Sequence, residues 1–170
     1  MEEKYELKRL SREAVPAALE KAERYRLLNE PVEAESICRD VLEVEPENRT
    51  ALVTLFLALS DQLDERLGSA YGEARELLGR LPDDYSRTYY AGILCERRAK
   101  VHLKRGGPGH GSMAYAWFKE ALDHFGRAID LRPAGNDEAL LRWNTCVRTL
   151  AAHSQLAPEA EEATVVLLLE

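Results

Sequence analysis

The sequence predicts an all-α fold, an antiparallel helix-pair solenoid of about seven helices. Three observations carry this. Apolar residues recur at 3–4-residue spacing in one segment after another, as on a helix with one buried face. No segment alternates with period two for long enough to make a strand, residues 164–169 excepted. The chain also repeats itself. Ala121, Phe125, Ala128 and Pro133 match Ala34, Cys38, Val41 and Pro46 at a constant offset of 87 residues. The pairs Glu33/Glu120, Leu42/Ile129, Glu43/Asp130 and Val44/Leu131 agree alongside. Self-similarity of this kind marks a stack of repeated supersecondary units.

Residues 1–10 form an arm or a helical lead-in carrying Tyr5, Leu7 and Leu10. Ser11 caps a first helix that runs to about Leu28, with Val15, Ala18, Leu19, Ala22, Tyr25 and Leu28 on its apolar face and Pro16 early, where it disturbs a helix least. Asn29 and Glu30 break this helix, and Pro31 starts a second that stops before Pro46. Asn48 caps a third, about 49–67, whose ALVTLFLAL run (51–59) is apolar all round and therefore central. Gly68 and Ser69 end it and begin a short fourth helix, about 70–80. Pro82, Asp83 and Asp84 open a long fifth helix, about 84–105, with charged last turns. After the flexible loop GGPGHGS (106–112), Ser112 caps a sixth helix, about 113–131, and Asn136 caps a seventh, about 137–153.

A length of 170 residues suits one domain able to bury ~70% of its unfolded surface. An apolar content of 45% beside 31% charged residues describes a soluble globular protein. The net charge of −7 argues against general nucleic-acid binding, which needs a basic footprint. No apolar run approaches the ~20 residues of a membrane span. The first ten residues, MEEKYELKRL, lack an apolar signal core. Cys38, Cys95 and Cys146 are odd in number and far apart, as reduced core thiols of a cytoplasmic protein would be.

The repeated residues resemble those of tetratricopeptide repeats (TPRs). That family pairs two antiparallel helices in roughly 34 residues, with small residues where helices cross and a proline closing each unit. Ala121 and Ala128 would admit a neighbouring helix, Phe125 would fill the gap between repeats, and Ala22 and Tyr25 fit the first-helix pattern. The match spans roughly residues 12–153, as three divergent repeats and a capping helix. Residues 1–153 thus read as one TPR-like domain, and 154–170 as an acidic, then apolar, tail. The resemblance implies a non-enzymatic adaptor that binds a peptide or protein segment in the concave groove lined by the first helix of each pair. A self-assembling, homo-oligomeric repeat protein is the alternative. The chaperone-tail-binding subfamily is not matched, because Leu19, Glu23 and Thr54 or Phe56 stand where that subfamily has lysines and asparagines.

Arg97, Lys100 and Lys104 fall on one face of the fifth helix, with Arg98 and Arg105 beside them. They read as a contact for an acidic partner, or as a solvated helix end suited to the negative pole of the dipole. Either way they are expected to be exposed, so that reversing their charge leaves folding unchanged. Tyr89 and Tyr90, two turns earlier, supply apolar contact to the same ligand or belong to the core. His102, His110, His124 and His153 have no metal-ligand spacing, and the glycine loop follows a helix and lacks the GK[ST] of a phosphate cradle. No catalytic, cofactor or metal residue is assigned. Glu159, Glu161 and Glu162, followed by Thr164, Val165, Val166, Leu167 and Leu168, predict a tail that docks on its own chain or clasps a homodimer, with a disordered terminus as the alternative.

Overall fold

The computed structural model describes residues 4–159. Among them are seven α-helices and no strand. A single 3-10 turn, Arg12–Ala14, leads into α1 (Val15–Leu27); α2 (Pro31–Val44), α3 (Arg49–Ser60), α4 (Leu67–Leu78), α5 (Asp84–Arg105), α6 (His110–Leu131) and α7 (Glu138–Ala152) follow.

Local chemistry accounts for most boundaries. Asn29 takes a positive φ of 60° after α1, and Pro31 is the first residue of α2. The Asn48 side chain accepts a hydrogen bond from the Ala51 amide at 2.9 Å, and Asp83 accepts one from the Ser86 amide at 2.7 Å. Both α2 and α6 stop two residues before their closing prolines, Pro46 and Pro133.

Four boundaries differ from expectation. Ser11 precedes only the 3-10 turn and makes no side-chain cap hydrogen bond, and α1 begins at Val15 with Pro16 in its first turn. Helix α3 ends at Ser60, and α4 begins at Leu67, so Gly68 and Ser69 lie inside the first turn of α4. The intervening turn is held by polar side chains reaching across to α2. Gln62 and Arg66 each donate to Glu35 Oε2 at 2.7 Å, while Leu63 is buried beneath them. These long-range bonds stop the helix where the local sequence would continue it. At the glycine loop, Gly109 takes a left-handed φ of 80° and starts α6 at His110. Ser112 is therefore in the first turn, donating to the Gly109 carbonyl at 3.0 Å, and is not the cap. At α7 the Asn136 side chain accepts from the Glu138 amide at 3.1 Å, with Asp137 as the boundary residue.

Each helix packs on the next in the chain, and α1 also packs on α3. Side-chain contacts that skip one helix form two rows. In the odd row, Arg26 of α1 pairs with Asp61 after α3, Phe56 of α3 meets Tyr90 of α5 edge-on, and Glu96 of α5 faces Arg142 of α7. In the even row, Arg39 of α2 pairs with Glu73 of α4, and Tyr71 of α4 meets Trp117 of α6 edge-on. The main core runs between the rows from Ala22 to Leu156. Helix α3 is its centre, with eight of its residues buried from Ala51 to Ser60.

The matched positions share one environment. Ala34, Cys38 and Val41, and their counterparts Ala121, Phe125 and Ala128, are all fully buried. The small residues let helices approach closely, so a larger side chain has no room. Ala121→Leu is expected to destabilise the fold by ~1–3 kcal/mol through overpacking. An unchanged urea midpoint would show that Ala121 does not sit at a close crossing.

Candidate functional site

The Arg97–Lys100–Lys104 face borders a cleft of about 290 Å³ between the end of α3, α5 and α7. Ser60, Asp61, Leu63 and Asp64 form one wall, α5 contributes Val101 with the three basic residues, and Arg142 of α7 closes it.

Arg97 is not a surface residue. Its side chain is only 22% exposed and turns inward, donating to Asp61, to Ser60 Oγ at 2.8 Å and to the Leu57 carbonyl at 3.3 Å. Asp61 also accepts from Arg26 Nε at 2.7 Å, so one carboxylate joins α1 to α5. Burial pulls the Arg97 guanidinium below its ordinary pKa, and the Asp61 charge opposes that pull. The expectation that all three basic residues are exposed is therefore corrected: Arg97 belongs to the packing between α3 and α5.

Lys100 is half-exposed and donates at 2.5 Å to Glu96 Oε1, which also lies 3.5 Å from Arg142 Nη1. Glu96 is only 1% exposed, and its Oε2 has no hydrogen-bond partner among the described residues. Two cations share one buried carboxylate, and that compensates its desolvation. Lys104 is 73% exposed and pairs with Asp64 at 2.8 Å. The cleft lining carries four cations, Arg97, Lys100, Lys104 and Arg142, against Asp61 and Asp64, and with the buried Glu96 that Lys100 and Arg142 share the excess is one cation.

The two tyrosines are placed elsewhere. Tyr89 is buried, stacked on Tyr85 with centroids 5.8 Å apart and tilted against Phe125. Tyr90 is half-buried against Phe56. Burial raises the pKa of both phenols. Neither belongs to the cleft lining. Arg98 points to the even row, with its guanidinium 4.3 Å from the Tyr71 ring centroid and 4.2 Å from that of Trp117. His102 and His110 approach each other at the α5–α6 turn with their Nδ1 atoms 3.4 Å apart. Burial lowers the His102 pKa, and Arg98, His110 and Arg105 lower it further. Among the described residues no group of three metal-ligating side chains gathers, and no helix is long and apolar enough to cross a membrane.

Sequence reasoning missed Asp61, Asp64, Glu96 and Arg142. One signal pointed to the first of these. Arg26, Asp61 and Arg97 follow one another at separations of 35 and 36 residues with alternating sign. Comparison with protein families, curated proteins and solved structures finds no match to this chain.

Proposed function

We propose that this chain is a non-enzymatic protein-binding adaptor, a TPR-like helix-pair solenoid that takes an acidic segment of another protein along the cleft between α3, α5 and α7. The observation that carries the solenoid reading is the separation of cross-helix polar pairs. Arg26–Asp61, Arg39–Glu73, Asp61–Arg97 and Arg49–Ser86 are 35, 34, 36 and 37 residues apart. Units of roughly 34 residues stacked in register bring such pairs together. The excess of cations over carboxylates in the cleft supports an acidic occupant. Lys100 and Lys104 each spend one of three donors on an internal carboxylate and keep the others for a ligand.

Fluorescence anisotropy with a labelled acidic 12-residue peptide, its glutamine analogue and its lysine analogue tests this reading. The acidic peptide is expected to bind the full chain preferentially, and binding should weaken as salt shortens the screening length from ~10 Å at 0.1 M to ~3 Å at 1 M. Lys104→Glu should weaken binding several-fold with little change in melting temperature, because its side chain is well exposed, whereas Lys100→Gln should also lower the melting temperature by leaving the buried Glu96 with Arg142 alone. Equal binding of the acidic and glutamine peptides would overturn the assignment.

A further inference from the structure

The last turn of α5 holds one half of a histidine pair. His102 is only 3% exposed, and its Nδ1 lies 3.4 Å from Nδ1 of His110, the first residue of α6. Its Nε2 is buried too, with no hydrogen-bond partner among the described residues. One neutral form suits this arrangement. His102 carries its proton on Nδ1 and donates to His110 Nδ1, and its Nε2 is a bare lone pair. Each further proton on the contact disturbs it. A proton on His102 Nε2 makes a buried donor without an acceptor. A proton on His110 Nδ1 sets two donors face to face, unless His102 moves its own proton to Nε2, with the same result. A buried donor left unpaired is costly. The charged and titratable groups acting on His102 are Arg98 and Arg105 of α5 and His110 of α6, so added positive charge meets repulsion from both helices.

The chain between the two rings is a glycine hinge. Gly106, Gly107 and Gly109 take positive φ of 62°, 87° and 80°. Glycine gains more backbone freedom on release than any other residue, which favours opening here. Three backbone bonds close the corner. The Gly106 amide donates to the His102 carbonyl at 3.1 Å, the His110 amide to the Gly107 carbonyl at 3.2 Å, and the Met113 amide to the Gly109 carbonyl at 3.1 Å. Gly111, beside His110, faces the Gln155 carbonyl so closely that a Cβ there would be 2.4 Å from it. We propose that the α5–α6 corner is an acid-opened latch: proton uptake parts His102 from His110, the glycine hinge and the first turn of α6 open, and the turn at 153–156 that rests on them is freed. The latch is independent of the cleft and of its occupant. Burial, with the neighbouring Arg98, His110 and Arg105, holds His102 below the ordinary imidazole value of ~6.5, so the open form binds the proton more readily. The closed contact therefore contributes its full stability above about pH 6.5 and loses it progressively as the pH falls below that value.

Amide hydrogen exchange of the isotope-labelled full chain tests this, with rates corrected at each pH for intrinsic exchange. Between about pH 7.5 and about pH 5.5, protection at the Gly106, His110 and Met113 amides is expected to fall by up to about tenfold, the limit for one proton taken up across the unit below ~6.5. Low concentrations of urea separate local from global opening. Rates at the three corner amides should barely respond to urea, because little surface is exposed, whereas those at Leu55 and Leu59 of the central α3 should rise steeply. In His102→Phe the pH dependence at the corner should vanish. Long-range nitrogen–proton spectra of the wild-type chain need no variant and should show the Nδ1–H tautomer of His102 at about pH 7.5. Protection independent of pH at the three amides overturns the proposal. So does a urea dependence there equal to that of Leu55 and Leu59, which would mean that the corner opens only when the whole domain unfolds. An unchanged pH dependence in His102→Phe, or an Nε2–H tautomer in the wild type, overturns it as well.

Discussion

Arg97→Glu is expected to cost ~3–5 kcal/mol of stability, a large share of the ~5–15 kcal/mol that holds a typical domain together. The new carboxylate would face Asp61 in the packing between α3 and α5, with only Arg26 left to compensate both. For a chain of this size that loss corresponds to a fall in melting temperature of roughly 6–20 °C. Lys104→Glu, three-quarters exposed and on the same helix face, should change stability by less than ~1 kcal/mol. The contrast separates a structural cation from a surface one. Thermal melts followed by circular dichroism at 222 nm read both variants. Equal melting temperatures for the two would place Arg97 in solvent and refute the inward pairing.

The second large effect concerns α5 and α6, the longest pair of helices. Phe125 is fully buried, and its ring fills the space at Gly92, where a Cβ would lie 2.6–2.7 Å from ring carbons. Phe125→Ala is expected to lose ~3–5 kcal/mol through lost burial and the cavity left behind. Gly92→Ala alone should destabilise by ~1–3 kcal/mol, the overpacking outweighing the ~1 kcal/mol by which alanine favours a helix over glycine. In a Phe125→Leu background the obstructing ring is gone, and Gly92→Ala should become neutral or stabilising. A double-mutant cycle in urea gives the coupling, expected in the range ~0.5–3 kcal/mol. Additive effects would mean that the ring and the α5 backbone do not meet.

Much of the fold was legible because helix limits depend on neighbours in the chain. Pro31, Asn48, Asp83 and the prolines after α2 and α6 act within one turn, and the corresponding boundaries agree with expectation to within about two residues. The end of α3 was not legible, because Gln62 and Arg66 are drawn to Glu35, about thirty residues away. The glycine loop was recognised as a break, but not that Gly109 in a left-handed conformation would move the start of α6. Glu161, Glu162 and the apolar residues that follow them lie outside the described residues.

The sequence by itself determined the all-α class, the seven helices and the burial of the repeated positions, since 3.6-residue periodicity and capping are local properties. Only the tertiary structure decided what each charge on α5 does. Arg97, Lys100 and Lys104 share one face by spacing, yet one pairs inward with Asp61, one covers the buried Glu96 and one stands in solvent beside Asp64. A helix flanked on both sides has no uniformly free face. The depth of each position against its neighbours, and the carboxylate that an adjacent helix or turn brings to it, sets whether a cation is structural or available.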